Sequence, residues 1–593
     1  MKVISSILAL ALGSAAARDV KYSLQDDEVD SSVCSGSSVA KSLSGYFSVS
    51  GSEYDTKSDK NYFFWMHEAQ NDPANAPFVV WLTGGPGCSS TLALLTENGP
   101  CSVNADGTGT EANVNSWNTN ANVLWLDQPA GVGFSYGTTN DENEDMVGED
   151  AYYFMQHFMA SHPEYASRPL YIFGESYGGH YAPAIAHRIF EGNNDLKDGD
   201  MKLNLAGVGV GNGLTQPEIQ YEYYAEMAYN NSHGIECVDE KTYEKMVDAT
   251  GPCIDKIKKC NEKGGFSCTT AYTYCNAQLT TPYYNSGLNP YDIRKECGDN
   301  PLCYDFSNVE KWLTTDSTRE ALHVTSDSAA WVSCNNNVNA EFRNDWMINY
   351  DGYIADMLEG GINVLIYAGD VDFICNSLGN KAWTLDVEWS GKEGFNAAAD
   401  KDWNGGSGSV RSFEGLTFLT VFDAGHMVPS DQPEAALVML DTFVTGGDLV
   451  LGLGLDKPDP VHPVRCTADL ALIAEDVKSG KDSIEEIEEN CDKSVGGDCL
   501  TDLVGFMGIV DTALSHATTA LVDCTDGTDS ECNQDLNAVV EGLEGASGDI
   551  TKALSDCPAK SIKDCVQDAI ASGEGIFEVV EDGLAAYKAC KGE

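Results

Sequence analysis

The stretch LYIFGESYGGHYAPAIAHRIF, residues 170–190, changes character twice within 21 positions. LYIF is a short apolar run of the kind that forms a buried strand. GGHYAPAIAHRIF has helix-like apolar spacing. Between them, Gly174-Glu175-Ser176-Tyr177-Gly178 fits G-x-S-x-G. Strand, tight turn and helix in that order are the setting of a nucleophile elbow, which lifts a serine above the end of a sheet. The glycines suit a strained turn that has no room for side chains. Taken alone, the motif fits an ordinary glycine-rich turn equally well. Glu175 poses the harder question. Acyl-group hydrolysis builds negative charge on oxygen, and a carboxylate stands immediately beside the serine.

Working outward, FVVWL (78–82), NVLWLD (122–127), LNLAGVGVGNG (203–213), NVLIYAGDVD (363–372) and LTFLTVFDAGH (416–426) read as further strands. EDMVGEDAYYFMQHFMASHPEY (144–165) reads as a helix. Strands alternating with helices predict a mostly parallel sheet covered on both faces. Two of the later strands end in groups a serine nucleophile requires. One presents Asp370 and Asp372, the other His426. A base must activate the serine, and a carboxylate must orient the base. The chain order Ser, Asp, His is that of the α/β-hydrolase fold, and open sheets of this type place their sites beyond the strand ends. Residues from about 213 to 335 are rich in Tyr and Cys and read as a disulfide-stapled insertion, or cap, over the sheet.

The chain's 593 residues suffice for more than one domain. Residues 1–17 have a basic start at Lys2, a short apolar run and small residues Ala15, Ala16 and Ala17, as in a cleaved secretory leader. No later run is long enough to span a bilayer. Twenty cysteines fit disulfides in the secretory pathway, extracellular or in a vacuole- or lysosome-type compartment. None has zinc-ligand spacing with nearby histidines, so no metal is expected. A net charge of −57 excludes nucleic acid and anionic membrane as partners. The sequence does not decide whether a short segment after the leader is removed; the acidic stretch QDDEVD (25–30) is the candidate processing region. Asn230-Asn231-Ser232 is the single N-glycosylation sequon and assigns Asn230 as acceptor.

A proline-rich linker, DKPDPVHPVR (456–465), ends the first region. From 466 to 593 the cysteine separations alternate 25 and 8, giving four units of period 33. Each unit opens Cys-x-x-Asp and carries a heptad seam between its cysteines, such as Leu470, Ile473, Val477, Ile484 and Ile487. This predicts an all-α module of four antiparallel helices. The cysteines of one straight helix would stand roughly 37 Å apart, so disulfides would join neighbouring helices. Four hairpins, each clamped by its own pair, are the alternative. The module has 28 acidic and 8 basic residues and no catalytic cluster. It reads as an acidic spacer or as a binding module of unknown ligand.

Five motifs, WLTGGPGCSS, LDQPAGVGFSY, GESYGGHYAP, YAGDVDFICN and AGHMVP, make residues 46–445 resemble the serine carboxypeptidase family. The resemblance implies Ser176 as nucleophile, His426 as general base and Asp372, not Asp370, as its orienter. It implies an oxyanion hole from the backbone N–H groups of Gly85 and Tyr177. The substrate would be the C-terminus of a peptide or protein, bound through its free carboxylate, with no metal or organic cofactor. Gly84, Glu97 and Glu175 match the carboxylate-binding positions. The family's asparagine there is Thr83 in this chain, whose hydroxyl offers one proton and shorter reach. Two touching carboxyl groups cannot both ionise cheaply, so the pair would hold a proton and donate it to the substrate carboxylate. That answers the question of Glu175 and implies acid-pH activity. The resemblance also implies the pairs Cys88–Cys334, Cys253–Cys275, Cys260–Cys268 and Cys297–Cys303, with Cys375 a free thiol. Cys34, Cys101 and Cys237 stay open: the first two pair together, or one takes Cys237. Acyl transfer or ester hydrolysis, and an extracellular binding role for the repeat module, are the alternative functions.

Overall fold

Strands buried on both faces need apolar side chains at every position, and the six apolar runs form the parallel centre of a twelve-stranded sheet. The structure is a computed structural model that describes residues 21–34, 41–50, 60–138, 141–197, 199–300, 302–447 and 449. The leader at 1–17, the linker at 456–465 and the repeat module at 466–593 lie outside the described residues.

In chain order the strands are β1 (Lys21–Glu28), β2 (Ser42–Ser50), β3 (Lys60–His67), β4 (Phe78–Thr83), β5 (Asn122–Leu126), β6 (Tyr136–Gly137), β7 (Leu170–Glu175), β8 (Leu205–Gly211), β9 (Asn363–Gly369), β10 (Lys401–Trp403), β11 (Gly408–Phe413) and β12 (Leu416–Val421). Their order across the sheet is β1-β2-β3-β5-β4-β7-β8-β9-β12-β11-β10, with β6 paired to β3. β5, β4, β7, β8, β9 and β12 run parallel. Antiparallel strands extend the sheet on both sides.

Alternation along each strand sends side chains into two cores. Phe78, Val80 and Leu82 enter one; Val79 and Trp81 enter the other. The first core is closed by α1 (Glu144–Ser161) and α2 (Gly178–Asn194), through Phe154, Phe158, Ile185 and Ile189. The second is closed by a later helix, Pro433–Val444, through Met439, Leu440 and Phe443. Asn143 caps α1: its side chain accepts the Met146 N–H, and Glu144 and Asp145 occupy the first turn, where a helix favours negative charge.

Between β8 and β9 lies the cap. Its helices α3 (Glu240–Lys263) and α4 (Phe266–Cys275) are tied by Cys253–Cys275 and Cys260–Cys268. Cys88–Cys334 joins the cap to the loop after β4, and Cys297–Cys303 closes a short loop. Cys34 bridges Cys101, which leaves Cys237 and Cys375 as buried free thiols among the described residues. Asn339 Nδ2, on the helix Asn336–Glu341, donates to the carbonyls of Gly85 and Pro86 in the loop after β4. Sheet-covering structure resumes at α5 (Asp351–Glu359), which leads into β9. Most of the acidic stretch at 25–30 is strand. Gln25 to Glu28 lie within β1, paired with β2, and Asp26 Oδ2 meets His162 Nε2 at 2.8 Å. Charges on an edge strand deter pairing with other chains, which accounts for an acidic run inside a strand.

The turn after β7 has no spare volume. A Cβ at Gly174 would stand 2.2 Å from the Gly178 carbonyl oxygen. Gly174→Ala is therefore expected to cost about 3 kcal/mol, read as a lowered urea midpoint with unchanged m-value.

Candidate active site

Ser176 occupies the single left-handed position between β7 and α2, with φ of +64°. Few non-glycine residues adopt that conformation, and it persists only where its surroundings enforce it. Here the Ser176 N–H donates to the Gly211 carbonyl at 3.1 Å. Its own carbonyl accepts from Gly179 and Leu214, each at 2.9 Å. The elbow is thus pinned to β8 and to the loop that follows it.

Asp372 follows β9 and His426 follows β12, so both lie at the same sheet end as Ser176. Asp372 is fully buried, and its Oδ2 lies 2.7 Å from His426 Nδ1. The same oxygen accepts from Asn212 Nδ2 at 2.8 Å and the Cys375 N–H at 3.2 Å; Oδ1 accepts the Ile374 N–H at 3.0 Å. Four donors thus converge on the Asp372 carboxyl, and the contact with His426 Nδ1 leaves Nε2 as the ring nitrogen turned away from it. Asp370 turns elsewhere: its Oδ2 meets His233 Nε2 at 2.9 Å.

Asn212 was not among the sequence candidates. It is buried, sits in a left-handed conformation (φ +41°) just past β8, and accepts the Gly369 N–H at 3.1 Å while donating to Asp372. The signal was present in GNG at 211–213: a polar residue at a parallel-strand end, in step with the serine, aspartate and histidine. Asp345 was also missed. It accepts from Tyr177 Oη at 2.6 Å and Tyr350 Oη at 2.7 Å, fixing the residue next to Ser176.

Gly84 and Gly85 follow β4, next to the elbow. A Cβ on Gly84 would come within 2.2 Å of the Tyr177 nitrogen. Only glycine leaves that N–H open to a ligand atom. Cys88 N–H donates back to the Gly84 carbonyl at 3.1 Å, closing the turn.

Glu97 and Glu175 are buried and hydrogen-bonded to each other. Burial pushes Glu97 up to about 7, against the lowering effect of the bond to Glu175. Burial, and then the charge of Glu97, push Glu175 well above the usual carboxyl range. Glu97 therefore loses its proton as pH rises through about 7, while Glu175, raised further, holds its own. Oε2 of each glutamate has no protein partner among the described residues. Thr83 lies opposite Glu175 in the β4–β7 register; its Oγ1 accepts from Trp81 Nε1 at 3.0 Å, which leaves the hydroxyl proton to donate. Cys375 is buried, and burial raises its thiol well above the ordinary value. Asn230 is exposed at the end of a cap helix, beside Glu226 and Tyr243. No cluster among the described residues has the donors to hold a metal ion.

The family described as serine carboxypeptidase matches residues 34–446. Carboxypeptidase Y of Candida albicans is 41% identical over 418 residues, covering 69% of this chain and 74% of its own length. The vacuolar serine-type carboxypeptidase of Saccharomyces cerevisiae is 40% identical, covering 72% and 84%. Among solved structures, a prohormone-processing carboxypeptidase of Saccharomyces cerevisiae superposes with a TM-score of 0.62 at 28% identity, covering 71% of this chain and 95% of that one.

Removing Asn212 deletes one hydrogen bond to a charged group, about 1.5–3 kcal/mol. Asn212→Ala is expected to lower kcat roughly 10- to 100-fold with KM unchanged, measured by steady-state peptide hydrolysis.

Proposed function

The chain belongs to the serine carboxypeptidase family and is a serine-type carboxypeptidase, and we propose that Ser176, His426 and Asp372 carry its chemistry. His426, its Nδ1 committed to Asp372, takes the Ser176 proton on Nε2 as Oγ attacks the last peptide carbonyl. The backbone N–H groups of Gly85 and Tyr177 meet the developing oxyanion. Fixed dipoles there cost no reorganisation as charge forms. The C–N bond breaks, His426 returns the proton to the leaving amine, and an acyl-enzyme on Ser176 remains. Water then attacks with the same base and releases the shortened chain.

The observation that carries the substrate assignment is the buried acid pair beside the nucleophile. A protonated carboxyl donates a hydrogen bond to a carboxylate, whereas an ionised one repels it. Glu97, Glu175, the Gly84 N–H and the Thr83 hydroxyl would bind the substrate's terminal carboxylate. Folding raises the affinity of both glutamates for protons. Their contribution to stability is thus full below the ordinary carboxyl range and is lost as pH rises through the folded values. Binding follows the same direction, which makes this an acid-pH enzyme.

Thr83 favours one second reading. It offers a single donor where the family resemblance expects an amide, so carboxylate recognition is weaker and esters or acyl acceptors compete better. The leader-like start, the disulfides and a vacuolar relative support a secretory-pathway or vacuolar location. No helix among the described residues is long and apolar enough to cross a membrane. Exposed Asn230 supports a glycan at that position. The proposed layout is a hydrolase domain to residue 455, a linker, and the acidic repeat module as a separate unit.

A blocked dipeptide with a free C-terminus and its amide, assayed from pH 4 to 8, test this reading. Ser176→Ala should abolish turnover of both. The free acid's KM should rise above about pH 7, while the amide's should not. Glu175→Gln, which keeps a donor, should flatten that rise. A KM for the free acid that is level across the range overturns the carboxylate-binding role. Turnover of the amide alone brings the Thr83-based reading forward.

A further inference from the structure

The cap hairpin formed by Leu288–Asn289 and Asp292–Glu296 reaches the loops that carry both Asp372 and His426. Pro290 O accepts the N–H groups of Phe373 and Ile374, each at 3.0 Å, and Ile293 N–H donates to Val371 O at 2.9 Å. These bonds bracket Asp372. On the other side, Tyr291 O accepts the His426 N–H at 2.8 Å, and the Tyr291 ring lies 5.0 Å from the imidazole. The contact is close: a Cβ on Gly425 would stand 2.3 Å from Tyr291 O.

The hairpin also carries a charge cluster. Asp292 is fully buried and takes a bidentate pair from Arg294, Nε to Oδ1 and Nη2 to Oδ2, both 2.9 Å. Lys295 Nζ lies 3.0 Å from the same Oδ2. Burial opposes charge on Asp292, but the bonds from Arg294 and Lys295 outweigh it and hold the carboxyl below its ordinary value. It therefore stays ionised in acid. Arg294 then reaches the histidine loop: Nη1 meets Asp423 Oδ1 and Nη2 meets the Asp423 carbonyl, both at 3.1 Å. Lys295 lies 3.6 Å from Asp431 Oδ1, and Asp431 Oδ2 accepts the Gly425 N–H at 2.8 Å. Asp423 is left-handed, with φ of +56°. The two cations thus grip the loop on either side of His426, one at a strained residue.

We propose that Asp292, Arg294 and Lys295 form a positioning clasp that sets His426 against Asp372 and Ser176, so that the cap completes the catalytic geometry. This rests on the assignment of His426 as base. Arg294 and Lys295 are partly exposed but Asp292 is fully buried, so breaking the pair also costs stability, which the melting temperature reads separately from kcat. Position is different, because a shift of about 1 Å in a reacting group costs on the order of 100-fold in rate.

The test is steady-state hydrolysis of a free-ended peptide by full-length Arg294→Leu, Arg294→Lys, Asp292→Asn and His426→Ala enzymes, with melting temperatures measured alongside. Arg294→Leu and Asp292→Asn should lower kcat roughly 10- to 100-fold with KM within about twofold. Arg294→Lys, which keeps the charge but not the fork, should recover part of the loss. If Arg294→Leu fails to fold, Arg294→Lys carries the test: a kcat about threefold or more below wild type at unchanged KM and melting temperature supports the clasp. Clasp variants with wild-type kcat beside an inactive His426→Ala overturn the inference. An active His426→Ala overturns the triad reading beneath it.

Discussion

A left-handed backbone at a residue with a side chain costs about 1–3 kcal/mol, and at Ser176 that conformation governs what surrounds it. β7 must end there, α2 must begin two residues later, and no Cβ fits at Gly174 or Gly84. Bonds to Gly211, Gly179 and Leu214 hold the turn because β8 lies alongside. Strain is tolerable only in a sheet already fixed by its two cores. In return, the serine and the Tyr177 N–H stand clear of the sheet end, where the loops after β9 and β12 bring the other groups.

The site solves two opposite electrostatic problems. Asp372 is buried among donors: an amide side chain, two backbone N–H groups and an imidazole surround it. Glu97 and Glu175 are buried with each other and keep a proton. The difference lies in the donors each carboxyl finds, not in depth. It lets one site hold a carboxylate that accepts from an imidazole beside a carboxyl pair that keeps a proton to donate.

The parallel half of this sheet was legible because double burial writes itself as unbroken apolar runs. FVVWL, LYIF and NVLIYAG could scarcely be anything else, and each became a strand. The flanking antiparallel strands were not legible. SLSGYFSVS mixes serine with aromatics, and KDW is three residues long. Their pairing comes from the neighbouring strand rather than from their own pattern. At the site, residues at strand ends in motif context could be read; those acting through another residue could not. Asn212 sat in a glycine-flanked strand end, and Asp345 in a cap segment with no periodicity. The choice between Asp370 and Asp372 needed resemblance, since two aspartates one residue apart carry the same chemical signal. The structure separates them by sending one to His233 and the other to His426.

The order of the groups along the chain has a consequence for the cell that makes this protein. β12, which carries His426, is the last strand of the sheet in sequence, yet it sits beside β9, and the Cys88–Cys334 link closes across 246 positions. At ordinary ribosomal speed, roughly 5–20 residues per second, Ser176 emerges tens of seconds before His426, so a nascent chain carries the elbow before the histidine that the fold later brings to the same sheet end.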